Sequence, residues 1–84
     1  MFSYLFTFHG LTAAQTARDV LRGAGIFARL QRAPGEISGL GCTWALHVAA
    51  GDGLRAADTL RAYSCAVSGV YRRQANGYLE RAEL

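Results

Sequence analysis

Two consecutive strand–helix–strand units of similar length constrain the fold of this 84-residue chain more than any other feature. The first unit begins with Phe2–Phe8, where aromatic side chains alternate with smaller ones, as in a strand that buries one face. A helix is predicted from about Thr12 to the Gly23–Gly25 stretch, because apolar residues recur there at helical spacing. Ile26–Arg32 alternates again and is predicted to be the second strand.

The second unit repeats this order. Cys42–Ala49 is predicted to be a strand, Asp52 to cap a second helix that ends near Tyr63–Ser64, and Cys65–Arg73 to be the last strand. Right-handed crossovers would fold the two units into an α+β, ferredoxin-like β-α-β-β-α-β sandwich. It has a four-stranded antiparallel sheet with both helices on one face. Residues 1–74 are predicted to form this single domain, and residues 75–84 a C-terminal tail.

Composition excludes several classes of function. No apolar run approaches the roughly 18 residues of a membrane span, and the first residues read as a strand rather than a signal peptide, so we expect a cytoplasmic protein without membrane contact. The nine basic residues, all arginine, are scattered rather than massed, which argues against a nucleic-acid partner. The two cysteines and two histidines lack paired metal-ligand spacing. We therefore expect no metal, no cofactor and free thiols.

The segment Ala33–Cys42, APGEISGLGC, is the richest candidate for a site. It joins two predicted strands, yet it is longer than a simple turn and carries distinctive chemistry. Its candidate pocket residues are the only proline, a carboxylate, a hydroxyl and two glycines: Pro34, Glu36, Ser38, Gly39 and Gly41. The glycines would let the backbone approach a ligand or turn its amides towards an anion. Cys42 at the end of this loop is the candidate reactive thiol.

The predicted topology brings a second segment to this loop. Strands one and three would be central neighbours, so the end of strand one, with His9 and Gly10, should lie beside the start of strand three. The first helix begins at the same edge, with partial positive charge at its N-terminus. A thiol between such a helix end and an imidazole is stabilised as a thiolate. His9 is therefore the candidate thiolate stabiliser and Gly10 a further pocket residue.

Simpler interpretations of the same residues stay open. Cys42 can be a small buried apolar residue, and His9 a polar strand end. Glu36 can be solvated or paired with Arg32, and the loop glycines can serve only to shape a turn. Cys65, at a predicted helix–strand junction, can have a purely structural role.

Several short motifs resemble a family of small bacterial selenium/sulfur carrier-like proteins, a domain of unknown function. They are FTFH at 6–9, GAGI at 23–26, PGEIS at 34–38, a cysteine that opens the next strand, and GVY at 69–71. The resemblance covers about residues 3–72. It implies a cysteine that holds sulfur or selenium as a persulfide or perselenide, and the matching residue is Cys42. It also implies a donor enzyme and an acceptor protein as partners.

Two functions follow from these observations. In the first, the chain is a carrier rather than a turnover enzyme, and Cys42 accepts and relays a chalcogen atom. In the second, it is a non-catalytic interaction or small-ligand-sensing module. Such a module could be a homodimer through the sheet face opposite the helices, which is predicted to be open and to carry small or mildly polar residues: Ser3, Leu5, Thr7, Thr43, Ala45 and His47. RNA binding through the sheet is disfavoured, because the third strand lacks the exposed aromatics that such modules use.

Overall fold

The fold is mixed α+β, and its central feature is one antiparallel sheet of five strands. The computed structural model describes residues 2–39, 41 and 43–84. Along the chain, the elements are β1 (Phe2–Phe8), α1 (Leu11–Gly23), β2 (Ala28–Arg32), α2 (Gly35–Ser38), β3 (Trp44–Ala49), a 3-10 turn (Ala50–Asp52), α3 (Gly53–Ala62), β4 (Gly69–Gln74) and β5 (Leu79–Arg81).

Strand order in the sheet is β2-β3-β1-β4-β5. The first strand is central, as predicted: β1 pairs with β3 on one side and with β4 on the other. In the register between β1 and β3, Phe8 lies opposite Trp44. The last residues of β1 therefore lie beside the first residues of β3, which is the juxtaposition that the sequence predicts.

The sheet has five strands, so the predicted four is wrong. The additional strand, β5, lies in the segment that was expected to be only a polar tail, and it pairs with β4. The Asn76-Gly77 turn allows this pairing, because Gly77 has a positive φ of 89° that suits a tight reversal. The carboxylate of Glu80 then accepts a hydrogen bond from Gln74 at 3.0 Å and pairs with Arg72 at 3.4 Å.

The main core lies between one face of the sheet and the helices α1 and α3. Alternation in β1 sends Phe6 and Phe8 to this face, where both are buried. Helical periodicity in α1 and α3 places Leu21 and Leu60 against them. Each large apolar side chain buried in this way contributes roughly 1.5–3 kcal/mol.

The second face of the sheet differs from the prediction. It was expected to be open, but Leu5, Thr7 and Ala45 are fully buried. Ile37 of α2 packs against Leu5 and Ala45 and is 1% exposed. The loop between β2 and β3 thus contains a short helical turn that covers part of this face, because an isoleucine in a polar loop gains free energy by burial.

Candidate functional site

The candidate site lies where β1 ends and β3 begins. His9 follows β1 directly, and its Nδ1 donates a hydrogen bond of 2.9 Å to the carbonyl oxygen of Gly41. A carbonyl can only accept, so Nδ1 carries a proton in this bond. In the neutral imidazole, Nε2 is then the unprotonated nitrogen and can accept a proton or a hydrogen bond.

Hydrogen bonds from Thr43, at the C-terminal end of the loop, connect the loop to the same end of β1. Its backbone N–H donates to the carbonyl oxygen of Phe8 at 3.2 Å, and its hydroxyl donates to that of His9, also at 3.2 Å. Its own carbonyl accepts from Ala33 at 3.0 Å. Cys42 lies outside the described residues. Both of its covalent neighbours are hydrogen-bonded to the end of β1 or to the residue after it: Gly41 to His9, and Thr43 to Phe8 and His9.

The short helix α2 begins directly after Pro34, its N-cap residue. The proline carbonyl accepts hydrogen bonds from the backbone N–H groups of Ile37 and Ser38, each at 2.9 Å. Ser38 in turn accepts from the backbone N–H of Gly41 at 3.1 Å, and its hydroxyl contacts the carbonyl of Gly35 at 3.4 Å. This chain of bonds links α2 to Gly41, and hence to His9.

The two loop glycines are not equivalent. Gly41 has a φ of +91°, a conformation that L side chains rarely adopt, and a Cβ there would lie 3.6 Å from His9 Cε1. Gly39 has an ordinary φ of −65° and open space around it. The Gly41 N–H is used by Ser38, so it is not available to an anion as the sequence prediction supposed.

Two further predicted site residues have simpler surroundings. Glu36 is exposed on α2, and no ion pair among the described residues includes it. Arg32, its expected partner, instead lies over the Trp44 ring at 5.0 Å. Gly10 is the N-cap of α1, and its carbonyl accepts from Ala14 at 3.2 Å.

Comparison with known protein families shows to which family this chain belongs. The model of a family described as "Putative Se/S carrier protein-like" matches residues 3–72. This chain belongs to that family. The match runs from β1 into β4 and includes both sides of the candidate site, whereas β5 lies beyond it. Neither the curated proteins nor the solved structures include a match to this chain.

The second cysteine of this Se/S carrier-like protein, Cys65, has a different environment. It is half-buried after α3, and burial raises the pKa of its thiol above the ordinary value. It lines a hollow of about 180 Å³ together with apolar side chains that include Phe6, Leu60 and Val70. A raised pKa leaves less thiolate at neutral pH, so this thiol is a poor nucleophile compared with an unperturbed one.

Residues 2–39, 41 and 43–84 contain no group of three or more histidine, cysteine, aspartate or glutamate side chains that could hold a metal ion. Their helices all lack the length and apolarity of a membrane span.

The structure shows roles for two residues that the sequence does not predict. The sequence places Thr43 only on the open sheet face, yet its backbone N–H and its hydroxyl both donate hydrogen bonds to the end of β1. The sequence places Ile37 in a loop, yet it is buried on the sheet. The available signal for Ile37 was a single large apolar residue within a polar, glycine-rich segment; Thr43 becomes recognisable only from the strand register.

Proposed function

We propose that this protein is a selenium/sulfur carrier in which the Cys42 thiolate accepts a chalcogen atom and passes it on. Membership of the Se/S carrier-like family supports this function. The observation that carries it furthest is the hydrogen bond of 2.9 Å from His9 Nδ1 to the carbonyl of Gly41, the residue bonded to Cys42. An imidazole is thereby held within one residue of the only thiol that the family motif marks.

The proposed transfer is an exchange at sulfur. The Cys42 thiolate attacks the outer sulfur of a donor persulfide, a new S–S bond forms, and the donor's S–S bond breaks. The donor leaves as a thiolate and this chain holds the persulfide, so no external oxidant or reductant is consumed. The reverse attack by an acceptor thiolate delivers the atom. Selenium follows the same sequence of steps.

Two groups would favour the anionic forms of Cys42. The first is the His9 imidazole, which is exposed and is held beside Gly41 by the hydrogen bond from its Nδ1. The second is the N-terminus of α1, which begins at Leu11, two residues after His9. Pro34, Glu36, Ser38 and Gly39 would form the neighbouring wall around α2, and Gly10 and Gly41 the wall nearest His9.

We further infer that the fold is ferredoxin-like with an added edge strand. The order β2-β3-β1-β4, with antiparallel neighbours throughout, supports this topology. The topology matters for the proposed function because it joins the end of β1 to the start of β3.

Mass spectrometry tests the carrier function. The protein is incubated with a cysteine desulfurase or a selenocysteine lyase and its substrate, beside a known carrier as a positive control. We expect added mass of one sulfur or selenium on wild type and on Cys65→Ser, and none on Cys42→Ser. If the known carrier is loaded but wild type is not, the proposal is wrong.

Thiol reactivity gives an independent test of the same residue. The rate of alkylation by iodoacetamide is measured against pH in the Cys42→Ser and Cys65→Ser variants. We expect the remaining thiol of Cys65→Ser to react as a thiolate at lower pH than that of Cys42→Ser. A Cys42 pKa near or above the ordinary value of about 8.5 would remove the physical basis of the carrier function.

A small-ligand-sensing module is the alternative, and the hollow of about 180 Å³ beside Cys65 favours it. An enclosed apolar cavity of about 150 Å³ binds benzene, and this hollow has a similar volume, although Arg61 is part of its lining. Benzene that raises the melting temperature of wild type, but not of Val70→Phe, would support this alternative. No shift in either protein would argue against it.

A further inference from the structure

The sheet face opposite α1 and α3 carries an unusual set of charges. Alternation along the strands places on this face three guanidinium groups and an imidazole, from β2, β3, β4 and β5: Arg29, His47, Arg73 and Arg81. We call these four residues the arginine face. In the strand register, Arg29 lies opposite His47, and Arg73 lies opposite Ser3 of β1.

Carboxylates are fewer than arginines on this side of the described molecule. Asp19, Asp52 and Asp58 belong to the helical layer, and each pairs there with an arginine. Glu80 points to the helical side of the sheet and pairs with Arg72. Two carboxylates remain on this side: Glu36 lies on α2 above the second face, and Glu83 follows β5 between Ala82 and Leu84, whose side chains pack against the main core. No ion pair among the described residues links either of them to the arginine face.

The three arginines of the arginine face differ from Arg72 on the helical side, which pairs with Glu80. No carboxylate within the described residues pairs with any of the three. The Nε of Arg73 is shielded from solvent and has no hydrogen-bond partner there. Arg81 lies over the Tyr71 ring at 5.6 Å. Burial is the main cause that lowers the pKa of His47, and the nearby charges of Arg29 and Arg73 lower it further.

We propose that the arginine face docks an acidic segment of a partner protein. The cations extend from β2 to β5, four strand spacings apart, or about 19 Å at roughly 4.8 Å per spacing. The α2 segment covers Leu5, which lies in the cross-strand row between His47 and Tyr71, so a bound segment must pass beside α2. One phosphate or carboxylate is too small to reach all the cations, whereas several carboxylates along such a peptide can. Planar guanidinium groups suit paired contacts with carboxylates.

Two other classes of partner, single-stranded nucleic acid and a second copy of the chain, fit the arginine face less well. Single-stranded nucleic acid needs aromatic platforms for its bases, but Tyr71 is the only aromatic ring that these strands place on the face, and Arg81 covers it. A second copy of the chain would oppose arginines to arginines. The apolar residues that could have held such a dimer, Leu5 and Ala45, are already buried beneath Ile37.

The arginine face is connected to the candidate site through β3, but binding at this face does not depend on that site. His47 lies four residues beyond Thr43 in the chain, about 13 Å along an extended strand. A partner bound there would also adjoin α2. The inference concerns binding only and requires no chemistry at Cys42.

Fluorescence anisotropy with a labelled peptide tests the inference. All proteins carry Cys42→Ser, so that failure of the carrier function cannot affect the result. The probe is a fluorescein-labelled dodecapeptide of alternating glutamate and serine. The face variant is Arg29→Gln/Arg73→Gln; the control, Arg22→Gln/Arg55→Gln, makes the same change in net charge on the helical side. Circular dichroism verifies that each variant is folded.

We expect the face variant to bind the peptide about tenfold more weakly, and the control to change affinity less than twofold. Tenfold corresponds to the combined loss of two surface ion pairs. Raising the salt concentration should weaken binding to the unsubstituted face. The proposal is overturned by equal losses in both variants, by no binding, by tighter binding of a labelled hexathymidylate, or by a dimer in light scattering that the face variant dissociates.

Discussion

Substituting alanine at Gly41 and at Gly39 tests the backbone geometry of the candidate site. At Gly41, φ is +91°, where an L residue pays about 1–2 kcal/mol. The added methyl group itself meets no obstacle, since His9 Cε1 and Nδ1 would lie 3.6 and 3.7 Å away. At Gly39, φ is −65° and the space is open. Only the first substitution should therefore strain the backbone.

The two variants serve as a matched pair. Replacing either glycine by alanine lowers the entropy of the unfolded chain by the same amount, worth about 0.4–1 kcal/mol, so this contribution cancels between them. The remaining difference is the strain at Gly41. We expect Gly39→Ala to be slightly more stable than wild type. Gly41→Ala should be less stable than Gly39→Ala by about 1–2 kcal/mol, or roughly 5–15 °C in melting temperature for a domain of this size.

Urea and thermal unfolding measure this difference. Circular dichroism reports the whole fold, and the fluorescence of Trp44, the single tryptophan, reports the start of β3 beside the site. Strain at Gly41 should also weaken its hydrogen bond with His9, so sulfur loading should fall in Gly41→Ala and not in Gly39→Ala. Equal stabilities for the two variants, or a more stable Gly41→Ala, would refute the positive φ on which this reasoning depends.

Three further perturbations test the core, the covered sheet face and the pH dependence. Gly53→Ala should cost roughly 1–3 kcal/mol in urea unfolding because its Cβ would overlap the Tyr4 ring, whereas Gly23→Ala, with open space around it, should cost nothing. Ile37→Ala should cost about 2–4 kcal/mol and make the loop more sensitive to proteolysis; unchanged stability would mean that α2 does not cover the sheet. Burial and two nearby guanidinium groups lower the pKa of His47, so the unfolded chain takes up the proton first. The contribution of neutral His47 to the free energy of unfolding should be fully present above pH 6.5, the ordinary pKa, and decrease as the pH falls through that value. His47→Gln should remove this part of the pH dependence of the free energy of unfolding.

Much of the fold could be predicted because it depends on local periodicity. The alternation of Phe2–Phe8 led to a strand with the same bounds in the structure, and the helical spacing after it led to α1. Element ends were less accurate: the last predicted strand began at Cys65, whereas β4 begins at Gly69. Hydrogen bonding between strands decides such ends, and a pattern of side chains does not contain it.

The candidate site could be predicted in outline for a similar reason. Adjacency of β1 and β3 follows from the order of the elements, and it correctly brought His9 to the loop before β3. The bond to Gly41, the role of Thr43 and the use of the Gly41 N–H by Ser38 could not be predicted. These contacts depend on the path of the loop backbone, which no periodic pattern describes.

The sequence by itself determined the α+β class, the central place of β1 and the meeting of His9 with the loop that ends at Cys42. Short-range periodicity and chain connectivity are enough for these features. Only the tertiary structure decided that Ile37 covers part of the second face, that β5 extends the sheet, and that unpaired arginines share what remains of that face. Burial and charge pairing depend on residues far apart in the chain, so they appear only once the strands are in register.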